Sequence, residues 1–245
     1  MGRFRVIALL ATIAMAQTRA QIPSDARVAI DQYRAAIEAV SGARTPGRLE
    51  AALDRVDALR DILMRVRPDG STRLEALSDA EFQQVEQSLA GVLINREEVV
   101  FVKADPKYFS RLAASAGDSS DRAFFAALEL TYPNGVWASY ETQQTDYSGC
   151  TAFGDGKLVD AYRAWSSLQR RFPNRYRARS SEELASIGTE LTESTCACGD
   201  RGSVEREMRQ FVRVFPKAAI AAAVRERLRG LAGGRSNIRL RCLSG

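Results

Sequence analysis

Apolar residues recur along this chain with helical spacing. Between Ser24 and Val40 they fall at Val28, Ile30, Tyr33, Ile37 and Val40, which predicts an amphipathic helix with Ser24 as its N-cap. The turn Thr45-Pro46-Gly47 then opens a second helix with the stripe Leu49, Leu53, Val56, Leu59, Leu63 and Val66, stopped by Arg67-Pro68-Asp69-Gly70. So short a link makes the two an antiparallel hairpin. Ser78-Asp79-Ala80-Glu81 reads as a capping box before Phe82, Val85, Leu89 and Val92. The apolar runs 92–94 and 99–102 flank Asn95-Arg96-Glu97-Glu98 and leave room for a small β-hairpin. Asp105-Pro106 supplies a cap and a first-turn proline for a helix that buries Phe109 and Leu112 and ends near Gly117. The next helix carries Phe124, Phe125 and Leu128.

From there a repeat emerges. Three helices end in an aromatic residue followed by proline, at Tyr132-Pro133, Phe172-Pro173 and Phe215-Pro216, with Leu128, Leu168 and Phe211 four residues before each aromatic. Intervals of about 40 residues suit stacked helix hairpins. The aromatic stripe Leu158, Tyr162, Trp165, Leu168 and Phe172 is core by its period. A helix through Leu184, Ile187 and Leu191 follows, then one capped by Ser203 and running through Val204, Met208, Phe211 and Phe215. After Gly233-Gly234 the tail is extended, with Ile238, Leu240 and Cys242 on one side.

The segment from Met208 to Leu231, a helix ending in aromatic-proline and then the Ala-rich stretch from Ala218, resembles the second half of a tetratricopeptide-type hairpin of exported bacterial scaffold proteins. The resemblance extends in part to Tyr162–Ile187, and departs from that family in lacking its small residues at fixed positions of the first helix. It implies stacked helix pairs and a protein partner. The expected fold is all-α, an irregular bundle or short solenoid of helix hairpins.

The first residues change the compartment. Arg3 and Arg5 precede an apolar stretch, Val6 to Ala16, that ends in Ala14-Met15-Ala16, the pattern of a cleaved export signal. That stretch is shorter than the roughly 20 residues a membrane span needs. A second cleavage point follows Ala20, so the expected division is a signal peptide over 1–20 and one helical domain over 21–245, with a sub-boundary near 67–78. Cleavage after Ala16 removes Arg3 and Arg5, and the formal charge falls from +5 to +3. Basic and acidic residues alternate, so there is no basic stripe of the kind nucleic acid requires. No later stretch predicts stable membrane insertion.

An even cysteine count in an exported chain reads as two disulfides. Cys196 and Cys198 are too close to bridge comfortably, so Cys150 and Cys242 should each bond one of them, in either order. Each bridge closes a loop of about 45 residues, worth roughly 3–4 kcal/mol in the chain-entropy account.

The chain has no histidine, which removes Ser-His-Asp and Cys-His catalysis and weakens any metal reading of Cys-x-Cys; no cofactor or metal is expected. Gly154-Asp155-Gly156 lacks the rest of a nucleotide fingerprint. One stretch attracts function: Pro133 to Lys157, long, polar and without a clear period. Its aromatics Trp137, Tyr140 and Tyr147 are candidate binding anchors. Its carboxylates admit an alternative, an envelope glycan (peptidoglycan) hydrolase with Glu141 as acid and Asp146 or Asp155 as partner. The preferred expectation is a periplasmic or secreted, non-catalytic binding or scaffold module with a protein partner in the envelope. N-terminal sequencing of protein from its native host should give Gln17 or Gln21 as the first residue; an intact Met1 in the cytoplasmic fraction would reject the export reading.

Overall fold

The computed structural model describes residues 22–42, 45–145 and 148–242; the signal-like start, Asp146 and Tyr147 lie outside them. Among the described residues the helical periods become nine helices: α1 (Ser24–Gly42), α2 (Arg48–Leu63), α3 (Asp79–Ser88), α4 (Pro106–Ala116), α5 (Ser119–Thr131), α6 (Lys157–Arg171), α7 (Arg177–Glu193), α8 (Arg201–Val214) and α9 (Ala221–Ala232). Two antiparallel hairpins interrupt them, β1 (Val92–Asn95) with β2 (Phe101–Ala104), and β3 (Glu141–Thr145) with β4 (Ser148–Thr151). Helices pair as α1/α2, α4/α5, α6/α7 and α8/α9. The last two pairs stack, α6 on α8 and α7 on α9, while α5 joins the row through α6 and β2 lies along α2. The chain is thus mainly α, as the periodicity indicated.

The aromatic-proline junctions are one local structure made three times. Tyr132, Phe172 and Phe215 all leave the helix with φ between −122° and −136° and ψ between 58° and 67°. Each donates its N–H to the carbonyl four residues back, Leu128, Leu168 and Phe211 respectively, at 2.8 Å. The proline that follows disfavours the α conformation at the aromatic, which ends the helix there. Each carbonyl then accepts the N–H three residues on, from Gly135, Arg175 and Ala218, closing a turn with proline in its second position.

Packing is aromatic at the centre. Phe124 stacks on Tyr176 with ring centroids 3.9 Å apart and meets Trp165 and Phe125 edge-on. Trp165 and Tyr176 are buried, and Trp165 donates its indole N–H to the Thr131 hydroxyl at 2.9 Å. Tyr162, Phe211 and Phe215 form a second cluster between α6 and α8.

Ionic contacts fix how the pairs meet. Arg175, in the turn before α7, donates Nε to Glu50 of α2 at 2.9 Å, Nη1 to Asp118 at 3.3 Å and Nη2 to Asp121 of α5 at 3.0 Å. Its neighbour Tyr176 has a left-handed backbone (φ 52°), unusual outside glycine. Tyr176 is held there by its N–H to Glu50 and its hydroxyl to Asp121, at 2.7 and 2.6 Å. Across the molecule, fully buried Glu207 of α8 accepts the N–H groups of Gly154, Gly156 and Val159. It thereby caps α6, whose own N-cap, Gly156, has no side chain to do so.

The disulfides are Cys150–Cys198 and Cys196–Cys242, one of the two expected arrangements. They hold a small parallel assembly in which residues 196–198 lie between Thr151 of β4 and the tail: Thr151 N–H bonds the Cys196 carbonyl, and Ala197 N–H bonds that of Arg239.

Several expectations are corrected. Val28 is 54% exposed, and α1 instead buries Ala26, Ala29, Ile30, Tyr33 and Val40. Helix α2 stops at Leu63, leaving Val66 68% exposed. Asp200, not Ser203, caps α8, by accepting the Ser203 N–H at 2.8 Å. In the tail Ile238 is buried but Leu240 is exposed. The polar loop after Pro133 contains the second hairpin, which its sequence gave no alternation to announce.

Replacing Arg175 by methionine leaves Asp121, a carboxylate with a 3%-exposed side chain, without its guanidinium, and should cost roughly 3 kcal/mol in chemical denaturation at pH 7. Burial pushes the Asp118 pKa up, but bonds from Ser120, Asp121 and Arg175 outweigh it and hold the group below the usual range. The stability so contributed is complete above the ordinary carboxylate range and is lost as the pH falls through the depressed value. The Arg175→Met variant should therefore lose its deficit relative to the parent in acid.

Candidate functional site

Helix α7 carries the site. Its apolar stripe (Ile187, Gly188, Leu191) faces the core, and Glu183 and Glu190, two turns apart, flank that stripe. On one side of α7 lies the main cleft, about 480 Å³, with an apolar floor from Leu53, Val56, Val102, Phe124 and Leu128. Its rim is charged: Asp54, Asp57 and Arg60 from α2, Lys103 from β2, and Arg179, Glu182 and Glu183 from α7. Further along α7 a second concavity, about 360 Å³, is lined by Trp137, Glu141, Gln143, Thr151, Glu190 and the backbone around Cys150 and Cys196.

Much of the cleft rim is pinned. Arg179 bridges Asp54 and Asp57, which ties α7 to α2. Tyr132 donates its hydroxyl to Glu183 at 3.0 Å. Burial pushes the Glu183 carboxyl up to about 7, aided by nearby Glu182 and opposed by the Tyr132 bond and Lys103. Lys103 donates Nζ to the Val136 carbonyl at 2.8 Å and lies 5.8 Å from the centroid of the Tyr132 ring. Desolvation lowers its pKa, against the pull of Glu141 and Glu183. Lys103 thus links the two concavities electrostatically.

In the second concavity Glu190 accepts the Thr151 hydroxyl at 2.5 Å, and that hydroxyl also contacts Ser194. Glu141 opens β3. Burial raises its pKa, and Glu190 adds to this while Lys103 opposes. Two carboxylates that influence each other therefore share one concavity with a half-buried tryptophan.

The sequence-predicted residues separate here. Trp137 and Glu141 line the second concavity, together with Cys150 and Cys196, whose disulfides hold its wall. Tyr140 is corrected: it is 0% exposed, so it is no surface anchor. The cause is the turn into β3, which sends Tyr140 inward and Glu141 outward. Its hydroxyl, beside Ser186, makes no well-formed hydrogen bond and lies under the field of Glu141, Glu183 and Glu190. Asp155 is exposed just before α6 and lines neither concavity. Asp146 and Tyr147 lie outside the described residues. Glu183, Glu190, Lys103 and Arg179 were not anticipated, and nothing in the sequence alone sets them apart. Among the described residues no cluster of metal-ligating side chains occurs.

In comparisons with protein-family models, with curated proteins and with solved structures, nothing matches this chain.

A carboxyl raised in the fold favours the native state below its unfolded pKa, and that advantage is lost as the pH climbs toward 7. Glu183→Gln should therefore raise the unfolding midpoint by a few degrees at pH 8 and change it little at pH 4, where the parent is protonated in both states. An equal shift at both values would reject the buried-carboxyl account.

Proposed function

We propose that this protein is an exported, non-catalytic binding module, and that it holds a protein partner in the groove along α7. The observation that carries this reading is that two concavities lie in succession along α7, with charged linings that are already fixed. Arg179, Glu183, Lys103 and Glu190 each have a partner within the fold, so little ordering cost remains on binding. The apolar floor of the main cleft supplies buried area and the rim supplies direction. The stacking of α6/α7 on α8/α9, with the same aromatic-proline turn at each end, supports the resemblance to helix-hairpin scaffolds. Two disulfides support an oxidising compartment, periplasmic or secreted. No helix among the described residues is long and apolar enough to cross a membrane.

A second reading keeps one specific observation: Glu141 and Glu190 in one concavity beside Trp137, with Glu141 raised toward the protonated state. Two carboxylates beside an aromatic ring support a two-carboxylate glycan hydrolase, with Glu190 in the place the sequence had given to Asp146 or Asp155.

Affinity capture from envelope extracts, with peptidoglycan included, separates the two. The binding reading expects a protein partner whose recovery falls about tenfold in Trp137→Ala and in Lys103→Glu, as for anchors at an interface centre. Arg209→Glu, on the exposed surface of α8, should leave recovery unchanged. Lysis of peptidoglycan that disappears in Glu141→Gln would establish the second reading instead.

A further inference from the structure

We propose that the concavity framed by Trp137, Glu141 and Glu190 receives a basic side chain, a lysine ammonium or an arginine guanidinium, presented by the partner in the groove. This rests on the groove reading above and specifies what one end of it recognises.

Four observations converge. The concavity has room for one side chain and is lined by two carboxylates with no lysine or arginine among its walls. The two cations that act on it from outside are already committed. Lys103 donates to the Val136 carbonyl, and Arg227 of α9 donates to the backbone carbonyls of Glu190 and Ser194. Glu190 receives the Thr151 hydroxyl, and Glu141 has no cation within ion-pair distance among the described residues, so acceptor capacity stays open on both.

Trp137 stands on the same wall, half-buried, where an indole face adds a cation–π contact to the carboxylate bonds.

The charges facing Glu141 are Glu190 from α7 and Lys103 from β2; those facing Glu190 include Arg227 from α9. The balance at Glu141 favours a proton or another cation, and burial raises its pKa accordingly. Binding of a basic side chain requires the ionised carboxylate and should therefore weaken as the solution is acidified.

The test uses the full oxidised chain and reads tryptophan fluorescence. The only other tryptophan, Trp165, is fully buried, so the change reports Trp137. The probes are tetralysine, the same peptide acetylated on every side-chain amine, tetraglutamate and spermidine, at physiological salt. Tetralysine should give a saturable change that acetylation abolishes and tetraglutamate does not produce. Glu141→Gln and Glu190→Gln should each weaken it about tenfold, the fold-change of one charge-assisted hydrogen bond.

No response to tetralysine, an equal response to the acetylated peptide, or unchanged affinity in both variants with both disulfides intact would overturn the proposal. Spermidine binding more tightly than tetralysine would overturn the assignment to a peptide side chain. The acetylated probe needs no variant, so a variant that misfolds does not spare the proposal. Partner capture that depends on Trp137 and Lys103 but not on Glu141 or Glu190 would sink this inference and leave the groove reading standing. Capture indifferent to all four would sink the groove reading itself.

Discussion

Everything in the site depends on where α7 begins, and one arginine sets that. The three contacts of Arg175 reach α2 and the N-terminal end of α5, so the turn before α7 is fastened to two helices distant in sequence. Tyr176 accepts a left-handed backbone to complete the join, which costs about 1 kcal/mol or more for a residue other than glycine. The stacking of its ring on Phe124 and its two bonds to Glu50 and Asp121 offset that cost. A buried ion network of this kind contributes little net stability over apolar packing, but it admits few alternative dockings. Its effect here is geometric: α7 is aimed along the edge of β2 and past β3, and the cleft is the space left between them.

The far end of α7 is fixed by different means. Its last carbonyls, which a helix leaves unpaired, are taken by Arg227 from α9, at the end where the helix dipole favours a cation. Directly beyond, residues 196–198 are bonded between β4 and the tail, and each of the two cysteines is tied to one of them. So β3 and β4, which have little apolar content of their own, are tied covalently to the segment that follows α7, and Thr151 of β4 bonds Glu190 of the helix. Glu141 and Glu190 come into one concavity because a helix fixed at both ends passes a hairpin that cannot drift away.

This division also explains what could be read in advance. Wherever structure follows from local stereochemistry the sequence was explicit: the capping box at Ser78, the Asp105-Pro106 start and the three aromatic-proline exits appear as anticipated. The cysteine pairing was legible up to one choice, because the closeness of Cys196 and Cys198 left only two sensible arrangements. Legibility failed where tertiary bonds replace local ones. β3–β4 has no alternating stripe, since its second face packs through a disulfide rather than through side-chain burial. Ser203 looked like a cap, yet Asp200, three residues earlier, accepts the bond because the Cys198 bridge sets where α8 can start. The inward turn of Tyr140 follows from the register of that same hairpin, so its aromatic ring read as surface when it is core.

The candidate site was the least legible part, and the reason lies in how charge is distributed. On an amphipathic helix Glu183 and Glu190 read as ordinary solvated positions beside an apolar stripe, and nothing in α7 alone distinguishes them from Glu182 or Glu193. What distinguishes them is compensation. Two charges that build the fold are each answered three times: Arg175 by three carboxylates and Glu207 by three backbone amides. Three charges along the groove are each answered by a single neutral hydrogen-bond partner: Glu183 by a phenol, Glu190 by a threonine hydroxyl, Lys103 by a carbonyl. A single neutral partner leaves each of these charges with bonding capacity that the fold does not use. Positions that break a rule the rest of the molecule keeps are where function is expected to reside. In this chain they fall along the groove, two on α7 and one on β2.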